Sequence, residues 1–280
     1  MRKNNRIQTT GVYALLILVA LVSIFPFLWM VSSSFKSDSN VFSATPSLFS
    51  DMLFRKDMFR NYQVVLKEFQ FSRYILNSLF VSLSCAIGQV LVCSLAGFAF
   101  AKMKFRGKNF VFSFLLMTMM IPVQVTIIPE YFLMMSFGWI DSFLPLIVPS
   151  FLAGAFGTFM YKEFFEVVPQ PLFDAGIIDG VGAFGMFSRI YFPLTASPTV
   201  TLFIIAFMNA WNGLLRPMLY ISTDKLQTVT LALTAFQSQY DTQWNLLLAG
   251  SVISILPLLI LFVFCQRYII ESAMGSGVKG

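Results

Sequence analysis

The 280-residue chain contains no histidine, and none of its carboxylates falls inside a long apolar run. Both facts narrow the chemistry. Without imidazole the commonest metal ligand and general base is missing, and neither a His-based zinc site nor a Ser–His pair can form. No glycine-rich loop leads into Lys and Ser or Thr, so the chain does not hydrolyse nucleotide by that route. An intramembrane carboxylate dyad is excluded, and the lack of ionisable groups in the runs weighs against proton- or sodium-coupled transport. We expect no catalytic residues, no metal site and no cofactor held by this chain. The polarity that the runs do carry is uncharged: Asn77, Gln89, Gln124, Asn209 and Asn212, with Trp211 beside the last. An amide in hydrocarbon is costly unless bonded. Such amides can tie helix to helix. They can also line a pathway for a neutral, hydroxyl-rich solute, with an aromatic face stacking on a sugar ring. Asn77, Gln124, Asn209, Trp211 and Asn212 are the candidates for that pathway.

A second constellation runs from Pro169 to Pro198, a polar, glycine-punctuated island. Pro169 and Pro171 are suited to opening a short helix, and Asp174 is expected in its first turn, where negative charge complements the helix dipole. Leu172, Phe173, Ile177 and Ile178 are expected to share a face. Asp179 and Gly180 end the helix, and Gly182 breaks the chain again. A second segment, 183–192, then leads through Pro193 into the next apolar run. Two short helices with an elbow would present an apolar face. That face suits a helix lying on the membrane surface, and it equally suits a peg for a groove on another protein.

The elements that must hold these groups are membrane spans. Apolar residues make up 57% of the chain and charged ones 11%, against about 45–50% and 25% for a soluble domain. Six runs reach the roughly 20 residues that cross a bilayer: 12–34, 75–101, 110–128, 142–161, 194–213 and 246–265. The fold class is therefore all-α, one polytopic domain over 12–267, between an N-terminal segment 1–11 and a tail 268–280. The first run has too long an apolar core for a cleaved signal and is read as a retained anchor. The three cysteines, Cys85, Cys93 and Cys265, sit in apolar runs and are read as packing residues. Prolines 26, 122, 145, 149, 198 and 257 lie in or beside the runs and suit kinked helices.

Charge sets the orientation. Six spans place both termini on one side, together with the loop that carries Lys102, Lys104, Arg106 and Lys108. Positive loops stay in the cytoplasm, so both termini and the 162–193 loop are expected there. The excess of +6 is then a topology signal, and no nucleic-acid partner is expected. On the outer side, Phe59, Tyr62, Val65, Leu66 and Phe69 recur at helical spacing and predict a short amphipathic helix, read as a lid. The segment 229–236 is too short to span and is read as a re-entrant or surface helix.

FDAGIIDG at 173–180, followed by Arg189 and the Pro193–Leu194 turn, resembles the Glu-Ala-Ala cytoplasmic loop of ABC-importer permease subunits. The carbohydrate-uptake branch is similar elsewhere: AFAKMKFRGKN, MIPVQVTIIP, AWNGLLRPMLY and the closing QRYIIESAMGSGVKG. Asp174 stands where the family has Glu and Gly176 where it has Ala. Gly176 is expected to loosen the helix by roughly 0.5–1 kcal/mol relative to Ala. The resemblance implies a subunit of an ATP-driven importer in the cytoplasmic membrane of a prokaryote, moving a carbohydrate, an oligosaccharide above all. It implies a second, different permease chain, two ATP-binding subunits that hold ATP and Mg, and an extracytoplasmic solute-binding protein, all in a lipid bilayer. Phe173, Asp174, Ala175, Gly176, Ile177, Ile178, Asp179, Gly180, Arg189 and Pro193 would then dock on the ATPase. Gly275, Gly277 and Lys279 in the tail would make a second contact. A secondary sugar transporter would instead work without nucleotide, and a scaffold subunit would bind partners and move nothing.

Overall fold

A computed structural model describes residues 5–43, 57–237 and 242–277. Among these residues the regular structure is helical throughout. The chain divides into two compact units, Met1–Ser72 with Ala232–Leu256, and Arg73–Leu231 with Pro257–Gly280.

Helix α1 (Asn5–Ser33) begins ahead of the first apolar run and carries Pro26 within it. Residues such as Leu18, Val22 and Phe27 are more than half exposed, so α1 offers its sides to surroundings outside the chain. In the same unit α2 (Asp38–Val41) and α3 (Arg60–Gln63) follow, the latter continuing as a π-helix over Val64–Glu68. That is the short helix expected from the periodicity of 59–69, though Phe59 and Leu66 of its expected apolar face are exposed. It packs by Val65, fully buried, and by Tyr62, whose hydroxyl lies 2.6 Å from Ser34 Oγ. Asn61 donates to the carbonyls of Ser34 and Lys36 and accepts from Asn245.

The second unit holds α4 (Phe71–Lys102) from Arg73 onward, α5 (Lys108–Met117) and α6 (Val123–Ser136). The third apolar run is not one straight helix. Its two halves meet at 103°, because Pro122 has extended backbone and caps α6 without offering an N–H to the preceding turn. The fourth run is also broken. It starts as α7 (Leu144–Ile147) and a 3-10 turn over Val148–Phe151, unwinds at Leu152–Gly154, and resumes as α8 (Ala155–Val167). Then come α9 (Gln170–Ile178) and α10 (Ala183–Gly185), whose axis runs on through π and 3-10 turns into α11 (Ala196–Trp211). The fifth run therefore belongs to a helical stretch beginning at Ala183. After it come α12 (Leu215–Tyr220), α13 (Val229–Leu233) with a 3-10 turn to Phe236, and α14 (Trp244–Gly277). Five of these stretches are long and apolar enough to cross a membrane, and six if the bent α5–α6 pair is one span.

Close packing in this unit follows small residues. A Cβ on Gly97 would meet Tyr161 and the backbone of Lys162, one on Gly157 would meet Cys93, and one on Gly88 would meet Phe151. Glycines thus bring α4 against α8 and the broken segment before it, as expected where lipid supplies no hydrophobic drive between helices.

Candidate functional sites

Two places in the second unit concentrate polar function. One is the α9 loop. Pro169 caps α9, which begins at Gln170. Asp174 consequently lies beyond the first turn and accepts a hydrogen bond from Gln170 Nε2 instead. The helix ends where predicted: Gly180 has φ +73°, Val181 N–H donates to Gly176 O, and Gly180 N–H donates to Ile177 O. This is a Schellman cap. Gly180 supplies the left-handed conformation it requires.

The four apolar side chains expected to share one face divide. Phe173 turns inward and meets Tyr191 edge-on at 6.2 Å, joining a buried cluster that includes Phe98, Phe165, Met186 and Phe187. Leu172, Ile177 and Ile178 turn outward, the last 85% exposed, with Phe184 beyond the elbow also exposed. Gly176 is buried, and a Cβ there would run into Met186 Sδ, with Ile190 next nearest. Glycine is thus what lets α9 lie directly on the 183–191 segment. Arg189 and Pro193 are exposed. The loop is tied to a span as well: Lys102 Nζ, at the end of α4, donates to Val168 O at 2.7 Å.

The other place is a cavity of about 340 Å³ bordered by α4, α7, α8, α11 and α12, alongside the break in the fourth run. Carbonyls before and at the break receive donors from a stripe of α4, Gly154 O accepting from the Thr158 N–H as well. Cys85 Sγ donates to Leu146 O, Gln89 Nε2 to Ser150 O, and Cys93 Sγ to Gly154 O. Donors and acceptors both recur every fourth residue, so one helix face serves one broken strand of backbone. Gln89 and the two cysteines are thus interhelical donors rather than inert packing.

Of the five pathway candidates, Asn209 lines the cavity and is an exposed residue. Asn77 does not; it donates to the carbonyls of Lys225 and Gln227. Trp211 is 2% exposed and stacks on Phe207 at 5.6 Å, and Asn212 caps α11. Gln124 sits exposed in the first turn of α6. Sequence reasoning missed Arg216, which lines the cavity, and Glu130, whose Oε2 accepts from Arg216 Nη2 at 2.9 Å. Both lie just past the ends of apolar runs, where a search for charge within the runs does not look. Beside them Tyr220 is fully buried, and its hydroxyl is pushed up to about 12, first by burial and then by the Glu130 charge. It stays protonated at any working pH. Of the tail residues, Gly275 and Gly277 fall on α14 and Lys279 lies outside the described residues. No group of three metal-ligating side chains occurs among the described residues.

Comparison with known proteins completes the description. Residues 89–274 match the family model for the binding-protein-dependent transport system inner membrane component. The chain is 28% identical over 263 residues to the arabinooligosaccharides transport system permease protein of Halalkalibacterium halodurans, covering 94% of this chain and 93% of that one. It is 28% identical to the lactose transport system permease protein of Rhizobium radiobacter, covering 94% of each. It is 30% identical over 206 residues to the sn-glycerol-3-phosphate transport system permease protein of Brucella abortus, covering 73% of each. A solved chain of a bacterial ABC transporter that imports alginate shares the fold, with TM-score 0.80 and 19% identity over 96% of this chain and 98% of that one. The chain belongs to the family of binding-protein-dependent transport system inner membrane components, and it is an integral membrane permease subunit of the ABC-importer kind.

Proposed function

We propose that the chain forms half of the membrane pathway of an importer that brings a carbohydrate, an oligosaccharide above all, into a prokaryotic cell. A second, different permease completes the pathway. Two ATP-binding subunits, which hold ATP and Mg, supply the energy, and an extracytoplasmic solute-binding protein delivers the cargo. Both termini and α9 face the cytoplasm, a reading supported by the four basic residues in 102–108.

One observation carries the coupling claim: α9 is clamped from within and bare without. Phe173 and Gly176 fix it to the 183–191 segment, while Leu172, Ile177 and Ile178 face away from the chain. A groove on an ATPase would cover that apolar surface. Movement of the groove would then pass through Met186 and Tyr191 into α11, and through the Lys102–Val168 contact into α4. The C-terminal tail offers a second contact. Asn209 and Arg216, on the cavity beside α8, are the groups of this chain that meet the solute.

Uptake into proteoliposomes holding the whole complex tests the reading. We expect uptake to require ATP, and Asp179→Lys with Gly180→Leu to leave the chain inserted while ATP hydrolysis continues without transport. Leucine at a φ of +73° and a reversed charge would spoil the cap and the docked face. Uptake without nucleotide would favour a secondary transporter, and unchanged transport in the double variant would remove the coupling role of α9.

A further inference from the structure

The cavity beside α8 carries a cation that is already answered. Arg216 borders it, and Glu130 reaches Arg216 Nη2 at 2.9 Å from α6, on the far side of the Pro122 bend. The carboxylate is the more enclosed partner, its side chain 15% exposed against 45% for the guanidinium. Glu130 Oε1 is buried and makes no hydrogen bond of good geometry among the described residues, the buried Tyr220 hydroxyl being the group that interacts with the carboxylate there, so protein rather than water surrounds this oxygen. Tyr131 and Tyr220 stack at 6.2 Å across the same spot and help wall it in. The other polar groups on the cavity, Asn209, Gln89 and Ser150, are neutral. Its charge therefore sums to zero. It still offers donors suited to hydroxyls, the Asn209 amide and those Arg216 N–H groups that Glu130 does not take.

We propose that Glu130 is a specificity-determining residue: by neutralising Arg216 it confines this cavity to neutral, hydroxyl-rich cargo and turns away cargo that bears a carboxylate or phosphate. This rests on the reading of the cavity as part of the solute pathway. An anionic sugar would meet a guanidinium whose attraction is cancelled, with a poorly solvated carboxylate directly behind it, and such like-charge placement discriminates strongly between partners. Removing the carboxylate's charge leaves the same cavity with an unpaired guanidinium, the group best matched to a carboxylate or phosphate.

The test is direct binding to the assembled transporter in nanodiscs without the solute-binding protein, so that only membrane subunits select. Lactose serves as the neutral probe and digalacturonate as the anionic one. Glu130→Gln should tighten digalacturonate binding by about tenfold or more and change lactose binding far less. Adding Arg216→Gln should abolish the gain. If the amide variant does not assemble, Glu130→Ala unpairs the same guanidinium and must give the same gain. Digalacturonate binding that is no tighter in an assembled Glu130 variant, including none in either protein, overturns the proposal. So does a gain that survives Arg216→Gln. ATP-dependent uptake by the unaltered complex, measured in parallel, reports separately on the coupling reading.

Discussion

At Gly176, propensity and packing pull in opposite directions. Alanine would stiffen an exposed helix by roughly 0.5–1 kcal/mol, but here its methyl would enter the space of Met186, which is 1% exposed and has little room to retreat. We expect Gly176→Ala to lower stability, by about 1 kcal/mol or more, as overpacking does. Combined with Met186→Ala, its cost should fall well short of the sum of the two single variants. Thermal unfolding of the four proteins in detergent checks this, and strict additivity would mean that the two residues do not share the space. The departure from the family pattern was plain in the sequence. Its partner, ten residues on, was not, because nothing in the spacing says that Met186 folds back beneath α9. The same holds for Glu130 and Arg216, 86 residues apart and each just outside an apolar run.

At the scale of elements, hydropathy marked the runs but hid their interruptions. The break at Leu152–Gly154 was hinted at by Pro145 and Pro149, but hydropathy did not locate it; bracing it is the α4 stripe of Cys85, Gln89 and Cys93. Gln89→Leu should cost about 0.5–1.5 kcal/mol, the net worth of an ordinary hydrogen bond, because the Ser150 carbonyl it frees is only half-buried on the cavity. A drop in thermal stability in detergent, with increased amide exchange around Ser150–Gly154, is the expected outcome. A second junction joins the turn after α6 to the segment after α12. Asp141, at φ +59°, accepts from Thr223 Oγ1 and from the N–H groups of Ser222 and Thr223. Its carboxyl is held below the ordinary carboxylate range, first by the Thr223 hydroxyl and then by the two backbone donors. A depressed folded pKa means that the junction is fully formed above the ordinary carboxylate pKa and is lost as pH falls through the lower, folded value. Once the intrinsic pH dependence of exchange is divided out, protection of the Ser222 and Thr223 amides should therefore fall on strong acidification, and Asp141→Asn should remove that fall. The Pro122 bend, by contrast, was half legible: the proline was visible, the 103° angle was not.

For the whole molecule, a permease subunit of this family implies further transporter components beside it, and the glycine-punctuated island at 169–198 is where an ATPase would attach. The structure gives that island mechanical form: a capped helix, pinned by Phe173 and Gly176, whose outward-facing Leu172, Ile177 and Ile178 are bare. If an ATPase covers this face, cross-linking will capture the contact. A cysteine placed at Ala175, which is exposed on α9, should form a disulfide with a cysteine in the groove of the co-purified ATP-binding subunit. The native Cys85 and Cys93 are buried and stand apart from this reaction. Formation of that bond in the assembled transporter is the predicted result. Persistent failure to form it, across a series of groove positions in an intact and active complex, would contradict the account and leave α9 as a helix resting on the membrane surface.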